Sequence, residues 1–148
     1  MKFVSKDLAF KLKEKGYDRP CFGYYQEDEF ILNRTSIHLP FGGNISDTMI
    51  LHQGENDIVD VPTIEQILEW LREEKNIHIG IIPYFTMSTK NNIMWQWEIL
   101  LVGKIIECEN TLYADKDYNY TKLASADCCA GYDDACVYAI EFVINNLI

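Results

Sequence analysis

Val61-Pro62-Thr63-Ile64-Glu65-Gln66-Ile67-Leu68-Glu69-Trp70-Leu71-Arg72-Glu73-Glu74-Lys75-Asn76-Ile77 decides the fold class, because the spacing of its apolar residues changes from helical to extended along its length. Ile64, Ile67, Leu68 and Leu71 stand at i, i+3, i+4 and i+7, one stripe of an amphipathic helix. Thr63 and Gln66 make a capping box in which the hydroxyl and the amide side chain each satisfy the other residue's free backbone N–H. Glu65 suits the positive end of the helix dipole, and Arg72 and Lys75 suit the negative end. Asn76 tolerates the left-handed conformation that closes a helix.

After Asn76 the period becomes two. Ile77, Ile79, Ile81 and Phe85 alternate with His78, Gly80, Ile82 and Tyr84, which predicts a strand over 77–85. Pro83 has no N–H for a ladder, so it marks an edge or a bulge. The polar run 86–92 predicts a turn into a second strand, with Trp95, Trp97, Ile99 and Leu101 on one face and Met94, Gln96, Glu98, Leu100 and Val102 on the other. Two strands joined this closely pair as an antiparallel hairpin. The tryptophan face needs a covering layer, and the Thr63 helix is the nearest one in the sequence.

Toward the start, Ser5 predicts the cap of a short helix with Leu8 and Leu12 as its stripe, Lys11, Lys13 and Lys15 near its end and Gly16 as its terminator. Cys21–Gln26 and Phe30–Asn33 predict a hairpin about the polar turn 27–29. Residues 35–60 read as irregular, punctuated by Pro40, Gly42, Gly43, Asn44 and Ser46, with a strand only at 48–52. An irregular segment of that length is functional or poorly ordered. Asn44-Ile45-Ser46 matches a glycosylation acceptor, which matters only outside the cytoplasm.

Toward the end, Ile105 and Ile106 either extend the aromatic strand or begin another after Gly103. Residues 109–131 form a second uncertain region holding Tyr113, Tyr118 and Tyr120 among Asp115, Asp117 and Asp127, with strand fragments at 111–114 and 119–123. A closing helix has Asp133 and Asp134 in its first turn and Cys136, Ala139, Ile140, Val143, Ile144 and Leu147 as its stripe, which docks it on the sheet to the last turn. The expected fold is one α+β domain over 1–148: three helices packed on an antiparallel sheet of four to five strands, in the order α-β-β-(irregular)-α-β-β-(irregular)-α.

With 148 residues, 48% of them hydrophobic and 24% charged, the chain is long enough for one core and too apolar for wholesale disorder. No apolar run reaches a membrane-spanning length, and residues 1–10 lack the apolar segment of a signal peptide, so a cytoplasmic location without membrane attachment is expected. Five cysteines at no framework spacing read as free thiols. The net charge of −10 is uneven: residues 1–34 carry seven Lys/Arg against six Asp/Glu, and the remainder six against seventeen. Such charge disfavours nucleic-acid binding and suits either solubility or a basic protein partner.

Cys128, Cys129 and Cys136, with Asp127 or Cys108, are the residues from which a metal site would be drawn. Adjacent cysteines point apart in extended chain, no Cys-x-x-Cys occurs, and Cys136 belongs to a helical core stripe, so buried thiols are the favoured reading. His38, His52 and His78 are far apart in sequence, and pairing one with a carboxylate or thiol needs the fold. Glu98, directly after Trp97 and close to Trp95, has the look of a catalytic acid in a sugar cleft, yet strand alternation explains it more simply. Phe41-Gly42-Gly43-Asn44 has turn composition without the strand-to-helix context of an anion cradle. No catalytic, cofactor-binding or metal-binding set is assigned, and no cofactor is expected.

The Lys-Glu-Lys-Gly-Tyr end of the first helix, the Pro-Cys-Phe-Gly-Tyr-Tyr strand, the Pro-Thr-Ile-Glu-Gln-Ile-Leu-Glu-Trp-Leu-Arg-Glu-Glu-Lys-Asn-Ile-His run and the Tyr-Asp-Asp-Ala start of the last helix resemble a group of small prophage and mobile-element proteins of gut anaerobic bacteria. The resemblance implies a shared fold and an accessory role, and it carries no activity or site residue. A non-catalytic module that binds another protein through an acidic face or aromatic patch therefore ranks first. A small hydrolase using a histidine with a carboxylate or thiol ranks second, and an acidic mimic of nucleic acid third. A homodimer through the edge near Pro83 is compatible with the pattern.

Overall fold

Thr63 and Gln66 make the reciprocal bonds of the capping box: the Thr63 N–H donates to Gln66 Oε1 at 3.0 Å and the Gln66 N–H to Thr63 Oγ1 at 3.3 Å. This and every distance below come from a computed structural model. It describes residues 1–39, 42–52, 57–84, 93–125 and 127–148, with the backbone alone for 35–39 and 42–45. The chain is α+β and divides into two units, Met1–Gln66 and Ile67–Ile148. No helix among the described residues is long and apolar enough to cross a membrane.

In the first unit α1 (Lys6–Glu14) starts at Ser5, whose hydroxyl accepts the Leu8 N–H at 3.3 Å, and Leu8, Ala9 and Leu12 are buried. It ends at Gly16, whose φ of +88° is the left-handed conformation glycine adopts without strain. Strands β1 (Gly23–Gln26) and β2 (Glu29–Leu32) form the expected hairpin. A Cβ on Gly23 would lie 2.7 Å from the Phe30 ring, so the close approach of that ring requires glycine there.

The segment 35–60 contains more strand than the sequence suggests. Here β3 (Arg34–Leu39) and β4 (Gly42–Asp47) pair as a two-stranded ribbon, and β5 (Ile58–Val61) joins β1 to give an antiparallel sheet of order β2-β1-β5, against which α1 packs through β5. The expected strand at 48–52 is reduced to one bridge, Cys21 with Ile50. It stops there because the His52 N–H turns to the Asp60 carboxylate instead of a neighbouring strand.

In the second unit α2 (Ile64–Lys75), which begins in the first, continues to Lys75 and closes at Asn76 with φ +55°. Trp70 is fully buried, and its Nε1–H donates to Glu74 at 2.9 Å. Strands β6 (Ile77–Tyr84), β7 (Met94–Val102), β8 (Thr111–Asp115) and β9 (Tyr120–Ala124) form an antiparallel sheet of order β6-β7-β9-β8. The expected turn at 86–92 lies outside the described residues. Pro83 sits on β6, an edge strand in unbroken register with β7.

Helix α3 (Tyr132–Asn146) covers the inner face of this sheet. The Trp97 ring lies 4.9 Å from that of Phe142, and Trp95 meets Tyr132 edge-on at 5.3 Å. The cover expected from the Thr63 helix is thus supplied by α3, whose entire apolar stripe from Cys136 to Leu147 is buried. Ile105 and Ile106 form no strand. Gly103 ends β7 with φ +80°, and the buried Thr121 hydroxyl takes the Ile106 N–H and donates to the Lys104 carbonyl.

Candidate functional site

Strand alternation puts Val102, Tyr120, Tyr113 and Asp115 on the outer face of the second sheet, away from α3. Val102 stands opposite Tyr120, Tyr120 opposite Asp115, and the Tyr113 and Tyr120 rings are 5.7 Å apart. The turn between β8 and β9 is built on Asp115. Its Oδ1 accepts the N–H groups of Asp117 at 2.9 Å and Tyr118 at 3.0 Å, and its Oδ2 accepts the Tyr113 hydroxyl at 2.9 Å. The bond from the Tyr118 N–H, then that from Tyr113, hold the Asp115 carboxyl below the usual carboxylate range. The same contact raises the Tyr113 hydroxyl.

Asn119 takes φ +53° to complete the turn and leaves Tyr118 standing out, 80% exposed. Tyr113 at 51% and Val102 at 47% are also open to solvent. A surface thus forms with an aromatic centre and carboxylates at Asp115 and Asp117. Across the strands Lys122 binds Glu98 at 2.8 Å. Glu98 and the two tryptophans therefore lie on opposite faces of the sheet, which removes the sugar-cleft arrangement.

A second cluster lies in the first unit. Tyr24 and Asp60 face each other across β1 and β5, and His52 lies over both. Its ring is 4.6 Å from that of Tyr24, its Nδ1 is 2.6 Å from Asp60 Oδ1, and its N–H donates to Asp60 Oδ2 at 2.8 Å. The pair lines a cleft of about 350 Å³ with Ala9, Leu51, Tyr17, Lys13, Asp18 and Gly16. The thiol beneath is no nucleophile: burial and the nearby Asp60 push Cys21 up to about 12. Burial, then the Cys21 neighbour, raises Tyr17 as well.

Of the three histidines the structure therefore brings His52 to a carboxylate. His78 is exposed on the outer sheet face, in a groove with Glu98 and Lys122. The side chain of His38, on β3, lies outside the described residues.

The cysteines do not assemble. Cys136 is buried on α3, Cys108 is exposed, and Cys128 and Cys129 line a separate hollow of about 530 Å³ with Asp127 and Ser125. Burial, with Asp134, Cys128 and Asp127 adding negative charge, raises the Cys129 thiol. Among the described residues no three His, Cys, Asp or Glu side chains converge as metal ligands.

In the sequence Lys13 and Tyr17 read as the end of the first helix and Asp60 as part of an irregular segment, none of them as a site residue. The available signal is the carboxylate interrupting the apolar run Ile58-Val59-Asp60-Val61, whose flanking residues are all buried. Comparisons with family models, with curated proteins and with solved structures return no match.

Proposed function

We propose that the chain is a non-catalytic module that binds a protein partner with a Lys/Arg-rich surface, using the β8–β9 hairpin. The observation that carries this reading is the exposed tyrosine cluster mounted on a carboxylate that is itself held ionised. Tyrosine rings offer a large contact area, a hydroxyl handle and a face that attracts cations. Residues 67–148 carry twelve Asp/Glu against six Lys/Arg, which complements a basic partner and speeds its approach. Lys104, Lys116 and Lys122 interrupt the acidic surface, which favours a protein partner over mimicry of nucleic-acid charge.

The accessory role implied by the resemblance to prophage proteins fits the same reading. Hydrolysis through His52 and Asp60 has the proton-handling pair, but the neighbouring thiol is held protonated.

Immobilised full-length protein is expected to retain a defined basic partner in a salt-sensitive way. Tyr118→Ala and Tyr113→Ala are each expected to weaken retention by about 2 kcal/mol, roughly thirtyfold, with unchanged circular dichroism. Retention that is equal in the variants, or indifferent to salt, overturns the proposal.

A further inference from the structure

The His52–Asp60 pair sits in the wall of a cleft, and its hydrogen bonds fix what that wall can offer. Both Asp60 oxygens accept from one residue, the Nδ1 and the backbone N–H of His52. Nδ1 is thus placed to donate to Asp60, and in the tautomer that does so Nε2 is left as the acceptor of the ring. Tyr24 packs on the ring and limits its rotation. The two side chains are only 15% and 12% exposed, so the acceptor is presented from a largely desolvated position where a hydrogen bond counts for more.

The remainder of the cleft is divided by chemistry. Ala9 and Leu51 are apolar, the buried Tyr17 lies beside them, and Asp18 adds a second carboxylate to the lining, so Lys13 is the one cation there among the described residues. Lys13 comes from the last turn of α1 and brings its ammonium to the rim, where it donates to the Ile58 carbonyl at 3.3 Å. An ammonium has three donors, so this bond leaves others for an incoming anion. A cation, an apolar floor and an oriented imidazole nitrogen in a space of about 350 Å³ match a small molecule, not a peptide.

We propose that this cleft is a binding site for a small organic acid that carries a hydroxyl. The carboxylate pairs with Lys13, the hydroxyl donates to His52 Nε2, and the carbon frame rests on Ala9 and Leu51. Asp60 acts through His52 as a positioning residue. The site belongs entirely to the first unit and does not depend on the hairpin reading.

The test is nitrogen-detected NMR of the imidazole and lysine side chains of the full-length protein, titrated with 2-hydroxyisobutyrate. Isobutyrate, which lacks the hydroxyl, and 2-hydroxyisobutyramide, which lacks the charge, serve as comparisons. The expected result is saturable shifts at His52 and Lys13, with at least tenfold weaker binding of both comparison compounds. His52→Ala is expected to abolish binding, and Asp60→Asn to weaken it while changing the imidazole tautomer signal. Lys13→Gln, at an exposed position, removes the charge and the 3.3 Å bond to the Ile58 carbonyl but no core packing, and serves if the other variants misfold. Absence of saturable shifts, shifts centred elsewhere, equal binding of isobutyrate, or full binding by the Lys13 variant each overturns the proposal.

Discussion

Asp60 holds His52 twice, once through the ring and once through the main chain, across eight residues of sequence. Those two hydrogen bonds end the strand-like run begun at Ile50 and anchor the return of the chain to β5.

Replacing Asp60 with Ala removes both acceptors and leaves the largely buried imidazole without its partner. The expected loss is about 1–3 kcal/mol of stability. Urea unfolding measures it, and hydrogen exchange at the His52 amide should accelerate more than exchange at the Leu101 amide in the other unit.

Alkaline pH provides a second test through Cys21. Its thiol titrates near 9 in the unfolded chain and near 12 in the folded protein, because burial and Asp60 oppose the thiolate. The folded state therefore keeps a proton that the unfolded state gives up. Stability from this group is complete below pH 9 and falls as pH rises through the window to about 12, by up to about 1.4 kcal/mol per pH unit. Tyr17 acts in the same direction from its own ordinary value of 10 upward. Urea midpoints measured across this range should drop, and Cys21→Ala should flatten the first part of the decline. A flat profile for the unaltered protein would contradict the burial of both groups.

A third test concerns the layer over the tryptophans. Trp97→Ala should cost about 3–5 kcal/mol and Phe142→Ala, at a partly exposed ring, less, because the two rings meet between β7 and α3. The double variant should be less destabilised than the sum by about 0.5–1.5 kcal/mol, the coupling of an aromatic pair. Tyr132→Ala, at the exposed end of the same helix, should cost much less. Strict additivity for Trp97 and Phe142 would show that they do not pack together.

The parts of the fold legible in the sequence are those held by local bonds. The Thr63–Gln66 box, the Gly16 and Asn76 terminators and the stripe of α3 are each fixed by residues within a turn or two of one another. The choice between α2 and α3 as cover for Trp97 was not legible, since both helices present apolar stripes and only long-range packing selects one. The β3–β4 ribbon was hidden because its Gly42-Gly43 composition reads as a turn and it shows no alternating pattern. Tyr113, Tyr118 and Tyr120 were visible as a cluster, but their mounting on Asp115 needed the turn geometry. His52 was visible without its partner, because the bond to Asp60 crosses a stretch with no periodicity to mark it.

The order β6-β7-β9-β8 also sets a timetable. Each of the two hairpins closes on its own connection, an event of microseconds. Their shared seam, β7 with β9, joins strands that are not consecutive and must wait until β8 has been laid down and folded back. The second unit is thus assembled from two preformed ribbons meeting along one line, and the entropy of closing the intervening loop falls on that encounter. Thr121 lies on the line and ties the loop to it through its hydroxyl, which makes this buried residue a latch on the slow step of folding.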